Sequence, residues 1–322
     1  MIDLSRRQCL AGIVAGGLTA ALAPPLGAQE TAAPRRRMTR DLVCGNLGVR
    51  ATQREAIDLA ARYGFESVWP DAAELGRLES AAVQDLRAEM KAKRLVFGAG
   101  FLPTDFRRDD ATFARSLAEL PAFAQSLERA GVRRVGTWLP PASDTLTYRQ
   151  NFALHARRLR EVARILGDHG LRLGLEYVAP RTAWVPRHYP FLHTMAETRE
   201  LIAEIGAGNV GLVLDSWHWY HAGDSAADIA ALGNGDVVAV DLNDAPSGVP
   251  KEQMVDSSRE LPLATGVIDV AAFLGALVAI GYDGPGRAEP FNEALRKLPR
   301  EEAVAATAQA MKRAFAPFDA AS

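Results

Sequence analysis

The sequence predicts an α/β protein built as one domain, a (β/α)8 TIM barrel, and three observations carry that prediction. Short apolar runs alternate with longer amphipathic runs eight times; strict alternation of strand and helix argues for a parallel sheet, and eight units argue for its closure. Four helical runs end in glycine just before the next strand, at Tyr63-Gly64-Phe65, Ala130-Gly131-Val132, His169-Gly170-Leu171 and Ile280-Gly281-Tyr282, and glycine takes the left-handed position past a helix end without strain. Each of the last four strands carries a carboxylate at or near its C-terminal end, the end on which α/β barrels carry their chemistry.

In chain order the strands are expected at Leu42 to Leu47, Glu66 to Trp69, Leu95 to Phe101, Arg134 to Leu139, Leu171 to Tyr177, Val210 to Asp215, Val237 to Leu242 and Arg287 to Phe291. The run Val210 to Leu214 is apolar throughout, as a parallel strand covered on both faces should be. Helical periodicity covers Gln53 to Tyr63, Ser80 to Lys93, Asp110 to Ala130, Tyr148 to His169, Thr194 to Ile205, Ser225 to Leu232, Val270 to Ile280 and Arg300 to Phe315. An open dinucleotide-binding sheet is disfavoured, because the first turn, Cys44-Gly45-Asn46-Leu47-Gly48, lacks a third glycine and the acid that should follow. The long irregular segments Ala179 to His193 and Ala245 to Thr265 follow the fifth and seventh strands, on the C-terminal face, where loops of that length are usually functional.

The chain has 322 residues, 48% of them hydrophobic and 24% charged, with a formal net charge of -2. That balance leaves no electrostatic footprint for nucleic acid or an anionic membrane. Ser5-Arg6-Arg7-Gln8-Cys9-Leu10, an Ala/Gly-rich apolar stretch and then Leu26-Gly27-Ala28 look like a twin-arginine export signal. The division expected is signal peptide 1 to 28, linker 29 to 40 and barrel 41 to 318, with export through the twin-arginine translocase to the periplasm and no stable membrane anchor. Cleavage after Ala28 leaves Cys44 as the one cysteine, so no internal disulfide is expected.

The strand tips give Glu176 in LGLEYV, Asp215 in LVLDSW, Asp241 in VAVDLND and Glu289 in GRAEPF. Four carboxylates on one mouth repel by several kcal/mol at an effective dielectric of about 20, so a positive charge must sit among them. One divalent metal is the economical choice, and so many oxygen ligands suit Mn or Mg better than Zn. The plainer reading of Asp215 is the N-cap of a following helix.

Glu176, then Asp215-x-x-His218, then Asn243-Asp244-Ala245, Arg259-Glu260-Leu261-Pro262 with Gly266-Val267-Ile268-Asp269, Gly281-Tyr282-Asp283-Gly284-Pro285 and a closing Glu289-Pro290-Phe291 together resemble the xylose isomerase-like sugar isomerase/epimerase family of TIM barrels. The resemblance implies metal ligands at Glu176, Asp215 and Glu289, and a substrate contact at His218. It also marks a departure: Asp241 stands where that family usually has a ligand histidine. With Asp241 as fourth ligand, the site would keep one more negative charge than with histidine. That charge should raise the pKa of Glu176 or Glu289 and disfavour anionic substrates.

The activity implied is isomerisation or epimerisation of a sugar, keto-sugar or cyclitol through an enediolate, with Glu176 and Glu289 as base and acid. Substrate contacts are expected from His218, Arg259, Trp184, His188 and Trp217, since aromatic side chains stack on sugar rings; core filling is the plainer reading of each tryptophan. A lyase or dehydratase of the same barrel, or an exported sugar-binding or scaffold protein whose metal site decayed at Asp241, are the alternatives. A metal-dependent apurinic endonuclease is disfavoured by six histidines and the absence of basic charge.

Overall fold

A computed structural model describes residues 35–319; the expected signal peptide lies outside the described residues. The strands are β1 (Thr39–Leu42), β2 (Ser67–Val68), β3 (Val96–Phe97), β4 (Ala99–Phe101), β5 (Arg134–Trp138), β6 (Ala142–Ser143), β7 (Arg172–Glu176), β8 (Tyr189–Pro190), β9 (Val210–Asp215), β10 (Val237–Leu242) and β11 (Pro285–Ala288). Nine of them form a parallel sheet in the order β3-β2-β1-β11-β10-β9-β7-β5-β4, and β6 pairs antiparallel with β8 apart from it. β3 and β4 are halves of the single strand expected from Leu95 to Phe101. The two ends of the order therefore meet in one short segment, and the sheet is a nearly closed barrel of eight strand positions.

Gly98 divides those halves for a steric reason. A Cβ there would stand 2.4 Å from both carboxylate oxygens of Asp41, so the side chain of β1 fills the place that a side chain on the third strand would take.

The helices are α1 (Gln53–Tyr63), α2 (Ala72–Arg77), α3 (Ser80–Ala92), α4 (Asp110–Ala130), α5 (Tyr148–Asp168), α6 (Arg181–Trp184), α7 (Met195–Ile205), α8 (Ser216–Ala222), α9 (Ala226–Ala230), α10 (Val270–Ala279), α11 (Glu293–Arg296) and α12 (Arg300–Phe315). Their ends are written locally. Thr52 and Glu55 close a capping box on α1, Asp109 and Thr194 accept from the first turns of α4 and α7, and Gly64 and Gly131 end α1 and α4 in the left-handed conformation. No helix among the described residues is long and apolar enough to cross a membrane.

Two elements differ from expectation. The first strand is Thr39–Leu42, and Cys44–Leu47 is a 3-10 turn closed by left-handed Gly48. Thr39 and Arg40, expected as linker, belong to that strand. Its entry is fixed by Met38, which is 1% exposed, and by Arg36, which donates to Glu66 through Nη1 and Nη2 at 2.8 Å. The other difference is α8, which follows β9 without a break: Asp215 Oδ1 accepts from Trp217 N at 2.7 Å and starts the helix. Asp215 is thus both an N-cap and a strand-tip carboxylate.

The barrel interior is narrow. Ala99, Val213 and Ala239 form a small inner cluster, and a Cβ on Gly174 would meet Val213 Cγ2 at 2.7 Å. One layer toward the C-terminal face, register pairs Asp41 with Arg287, Arg287 with Asp241 and Asp241 with Asp215. Four adjacent strands therefore carry a charged row above a floor of small apolar residues.

Candidate active site

Period-two alternation aims Arg287 and Glu289 to one side, and the parallel register places Asp241 and Asp215 beside them. Glu176, Asp241 and Glu289 bring one oxygen each within 4.8 Å of one another, and a carboxylate oxygen each of Glu176 and Asp215 and a ring nitrogen of His218 do likewise. The sequence demanded a positive charge here, and two arginines supply part of it. Arg259, from the loop after β10, donates through Nη1 to Asp215 Oδ2 at 2.7 Å and Glu289 Oε2 at 3.0 Å. Its Nη2 donates to Asp256 Oδ1 at 2.8 Å. Arg287 takes Asp241 in a two-pronged pair, Nε to Oδ1 and Nη2 to Oδ2, the latter at 3.0 Å. The extra negative charge expected of Asp241 is therefore matched inside the protein by Arg287.

Acids still outnumber bases. Burial, and then the charges of Glu289, Asp241 and Asp215, push Glu176 well above the usual carboxyl range. Burial and Asp241 raise Glu289 to about 8 against the pull of Arg259. Asp41 rises to about 6, mainly by burial. His218 moves the other way: burial, helped by the charge of Arg259, lowers it to about 3, so the imidazole is neutral at ordinary pH.

These groups open on a cavity of about 340 Å³, ample for one sugar-sized ring. Glu176, Arg287 and Glu289 line it with His218, Asp256 and Arg259, and Phe101, Trp138 and Phe291 make an apolar wall. Phe101 is 47% and Trp138 40% exposed, unusual for large apolar side chains unless something covers them. Phe291 has φ 39, strained for an aromatic residue, and its ring lies 4.5 Å from the Arg259 guanidinium. A larger groove of about 570 Å³, beside Arg87, Arg94 and the start of β3, brings no acid or histidine together.

The expected site residues divide into two groups. Glu176, Asp215, Asp241, Glu289, His218 and Arg259 converge as described. Trp184, His188 and Trp217 stand outside the lining of the cavity. The Trp184 indole donates to the Ala179 carbonyl at 3.0 Å and stacks on His193, which turns it toward its own loop. His188 is exposed on the far part of that loop. Trp217 is fully buried, 5.5 Å behind the Arg259 guanidinium, and fills core.

Sequence reasoning missed Asp256, Arg287, Phe101 and Phe291. Arg287 had a signal, since it shares a strand face with Glu289. Asp256 lies in a loop with no periodicity to read.

A divalent cation fits the donor set. Glu176 Oε1 is buried with no hydrogen-bond partner, three carboxylate oxygens lie close enough to share an ion, and the acids exceed the arginines. An unpartnered buried carboxylate oxygen is costly and calls for a proton or a cation.

A parallel barrel with paired acids at its C-terminal mouth defines the class, and the sequence defines the family. The profile of the xylose isomerase-like TIM barrel family matches residues 57–314, and the chain belongs to that family. A solved xylose isomerase domain protein from Alicyclobacillus acidocaldarius is 32% identical, with a TM-score of 0.76 over 87% of this chain and 98% of its own. A structure of a protein called IOLI with a bound zinc atom shares the fold at 19% identity and a TM-score of 0.73, over 88% of this chain and all of its own. An inosose isomerase from Bacillus velezensis is 25% identical over 198 residues, 61% of this chain and 67% of that protein. A 3-dehydroshikimate dehydratase from Pseudomonas aeruginosa is 32% identical over 149 residues, 46% of this chain but only 22% of that protein.

Proposed function

We propose that the chain is a metal-dependent isomerase or epimerase that moves a carbon-bound proton in a sugar, keto-sugar or cyclitol. The observation that carries this reading is the placement of Glu176 and Glu289 on one small cavity, with an oxygen of each within 4.8 Å of the other and of Asp241. Two carboxyl groups facing one space, one as base and one as acid, are what carbon-proton transfer needs.

One carboxylate takes the proton from the carbon beside the carbonyl, and the C–H electron pair moves to give an enediolate. The other, protonated, returns a proton to the opposite face of the same carbon, or to the neighbouring carbon, in which case the hydroxyl proton also passes from the first carbon's oxygen to the second's as the carbonyl moves. Neutral His218 steadies a substrate oxygen, and Phe101, Trp138 and Phe291 cover the apolar face of the ring. A divalent ion among Glu176, Asp215, Asp241 and Glu289 would supply stabilisation of the developing oxyanion. The all-oxygen ligand set favours Mn or Mg, although the protein solved with zinc shares this fold.

A dehydratase or lyase is the second reading, favoured by the similarity to a 3-dehydroshikimate dehydratase. It begins with the same proton abstraction and then expels a hydroxyl. A sugar-binding or scaffold protein would abstract no proton. Incubating the metal-loaded protein with keto and aldo sugars and inososes in deuterium oxide decides among them. Exchange at carbon without loss of water supports the isomerase, exchange with dehydration the lyase, and no exchange with any substrate overturns both.

The N-terminal Arg6-Arg7 box supports export to the periplasm by the twin-arginine translocase. Replacing both arginines with lysine should retain the protein in the cytoplasm, and unchanged periplasmic yield would refute the route.

A further inference from the structure

The two guanidinium groups of the cavity differ in what they have left to donate. Arg259 engages every nitrogen: Nη1 with Asp215 and Glu289, Nη2 with Asp256 and, at 3.4 Å, His218 Nε2, and Nε with the Asp256 carbonyl. Arg287 engages Nε and Nη2 with Asp241, and its Nη1 has no partner among the described residues. Arg287 lines the cavity and Asp241 does not. Its side chain is 10% exposed against 1% for Arg259. The unengaged side of the Arg287 fork therefore faces the space beside Glu289.

Charge decides which kind of oxygen that nitrogen can take. Asp241 cancels Arg287 one for one, while Asp215, Asp256 and Glu289 surround Arg259. Arg107, the nearby arginine without an acid partner, is stacked between Phe106 and Trp138 at 4.2 Å from each ring, donates to Thr137 and the Trp138 carbonyl, and lies outside the lining. Even with a divalent ion bound, the acids Glu176, Asp215, Asp241, Asp256 and Glu289 would outweigh Arg259, Arg287 and the ion, so a carboxylate entering the cavity would lose its water without meeting net positive charge. A carbonyl or hydroxyl oxygen needs only the donor.

We propose that Arg287 is a substrate-contacting residue, oriented by Asp241, whose Nη1 donates to an uncharged carbonyl or hydroxyl oxygen, so that the site ranks neutral polyols above carboxylated ones. This rests on the reading of the cavity as a polyol site and names its substrate class.

Calorimetric titration of the Mn-saturated protein with two pairs, myo-inositol and quinate, then D-glucose and D-glucuronate, tests it. The neutral member of each pair should bind more tightly to the wild type, and Arg287→Gln should weaken that binding about tenfold, as loss of a bond from a charged donor predicts. Asp241→Asn takes from Arg287 its hydrogen-bonded carboxylate and should shift the ranking toward the carboxylated member about tenfold in the metal-free protein as well as in the Mn-saturated one, whereas a shift seen only with Mn would belong to the metal site and overturn the assignment. A loosened fold does not produce a shift of that sign. Should Arg287→Gln fail to fold because Asp241 is left buried and unpaired, the double variant Asp241→Asn with Arg287→Gln removes both charges and carries the same measurement.

Unchanged ranking in Asp241→Asn, preference of the wild type for the carboxylated members, or no binding of any of the four would overturn the assignment. Polyol binding without carbon-hydrogen exchange would remove the isomerase reading and leave Arg287 standing. Exchange that persists while the ranking ignores both variants would remove Arg287 alone.

Discussion

Arg259 Nη1 lies 2.7 Å from Asp215 Oδ2 and 3.0 Å from Glu289 Oε2, so one nitrogen from the loop after β10 joins the tip of β9 to the residue following β11. The guanidinium does part of the work expected of a cation. Removing it strands buried carboxylates, a change that costs roughly 3–5 kcal/mol when one partner of a buried pair is deleted. Arg259→Met should therefore lower the melting temperature markedly, and Mn should recover more stability in the variant than it adds to the wild type. Equal metal-induced shifts in the two proteins would show that Arg259 and the metal do not share the same acids.

Asp41 and Gly98 make a second pair whose coupling is measurable. The Asp41 carboxylate occupies the space a Cβ on residue 98 would need, 2.4 Å away. Gly98→Ala should destabilise the barrel by about 1–3 kcal/mol, as overpacking does. Asp41→Ala should relieve most of that cost in the double variant, an interaction read from a double-mutant cycle in urea. Additive effects would mean that the kink between β3 and β4 has another cause.

How much of this was legible in the sequence depends on how each residue is held. Glu176, Asp215, Asp241 and Glu289 were readable because a strand has a direction and a barrel keeps its chemistry at one end. Gly64 and Gly131 fixed helix ends through backbone conformation alone. Trp184 and Trp217 were misplaced because composition says that an aromatic ring is near a site and not which way it turns; one is held by its indole hydrogen bond and the other by the core. The first strand was set too late in the chain because Leu42 to Leu47 is apolar enough for a strand. The burial of Met38 and the tie from Arg36 to Glu66 are tertiary facts with no local signature. Arg287 was legible as a face-mate of Glu289, yet its role needed the position of Asp241 on the neighbouring strand.

His155 gives a pH dependence away from the site. It is buried beside Phe106 and Phe191; its Nδ1 pairs with the Asn151 carbonyl, and its Nε2 has no partner. Burial lowers its pKa from 6.5 to about 4. The unfolded chain then binds a proton that the folded chain refuses, so this contribution is complete above pH 6.5 and is lost as pH falls toward 4. His218 and His221 are also lowered by burial and act with the same sign. His155→Leu should flatten the slope of unfolding free energy between those pH values while leaving the rest, and an unchanged slope would place the proton elsewhere.

Asp244 holds the loop that delivers Asp256 and Arg259. Its Oδ1 accepts from the amides of Ala245 at 2.8 Å and Ile268 at 3.0 Å, and its Oδ2 from Thr265 at 2.9 Å and Gly266 at 2.7 Å. Its backbone also pairs with Glu260 in both directions. The side chain is fully buried; burial alone would raise its pKa, but the four amides hold it below 3.8. A carboxylate is the one side chain of this size with two acceptor oxygens and no donor. Asp244→Asn puts an NH2 against one of the two amide pairs, so it should be nearly as damaging as Asp244→Ala. Each lost bond to a charged acceptor is worth about 1.5–3 kcal/mol, felt mainly as opening of the loop. Hydrogen exchange should show the amides of Thr265, Gly266 and Ile268 losing protection in both variants while the β9 and β10 amides keep theirs. Because the folded pKa lies below 3.8, the wild-type loop should stay closed above that pH and open as pH falls further. Opening withdraws Arg259 from Asp215 and Glu289, so substrate binding should weaken in the same variants before global stability does. Protection that survives Asp244→Asn would show that the backbone pair with Glu260 is enough to hold the loop.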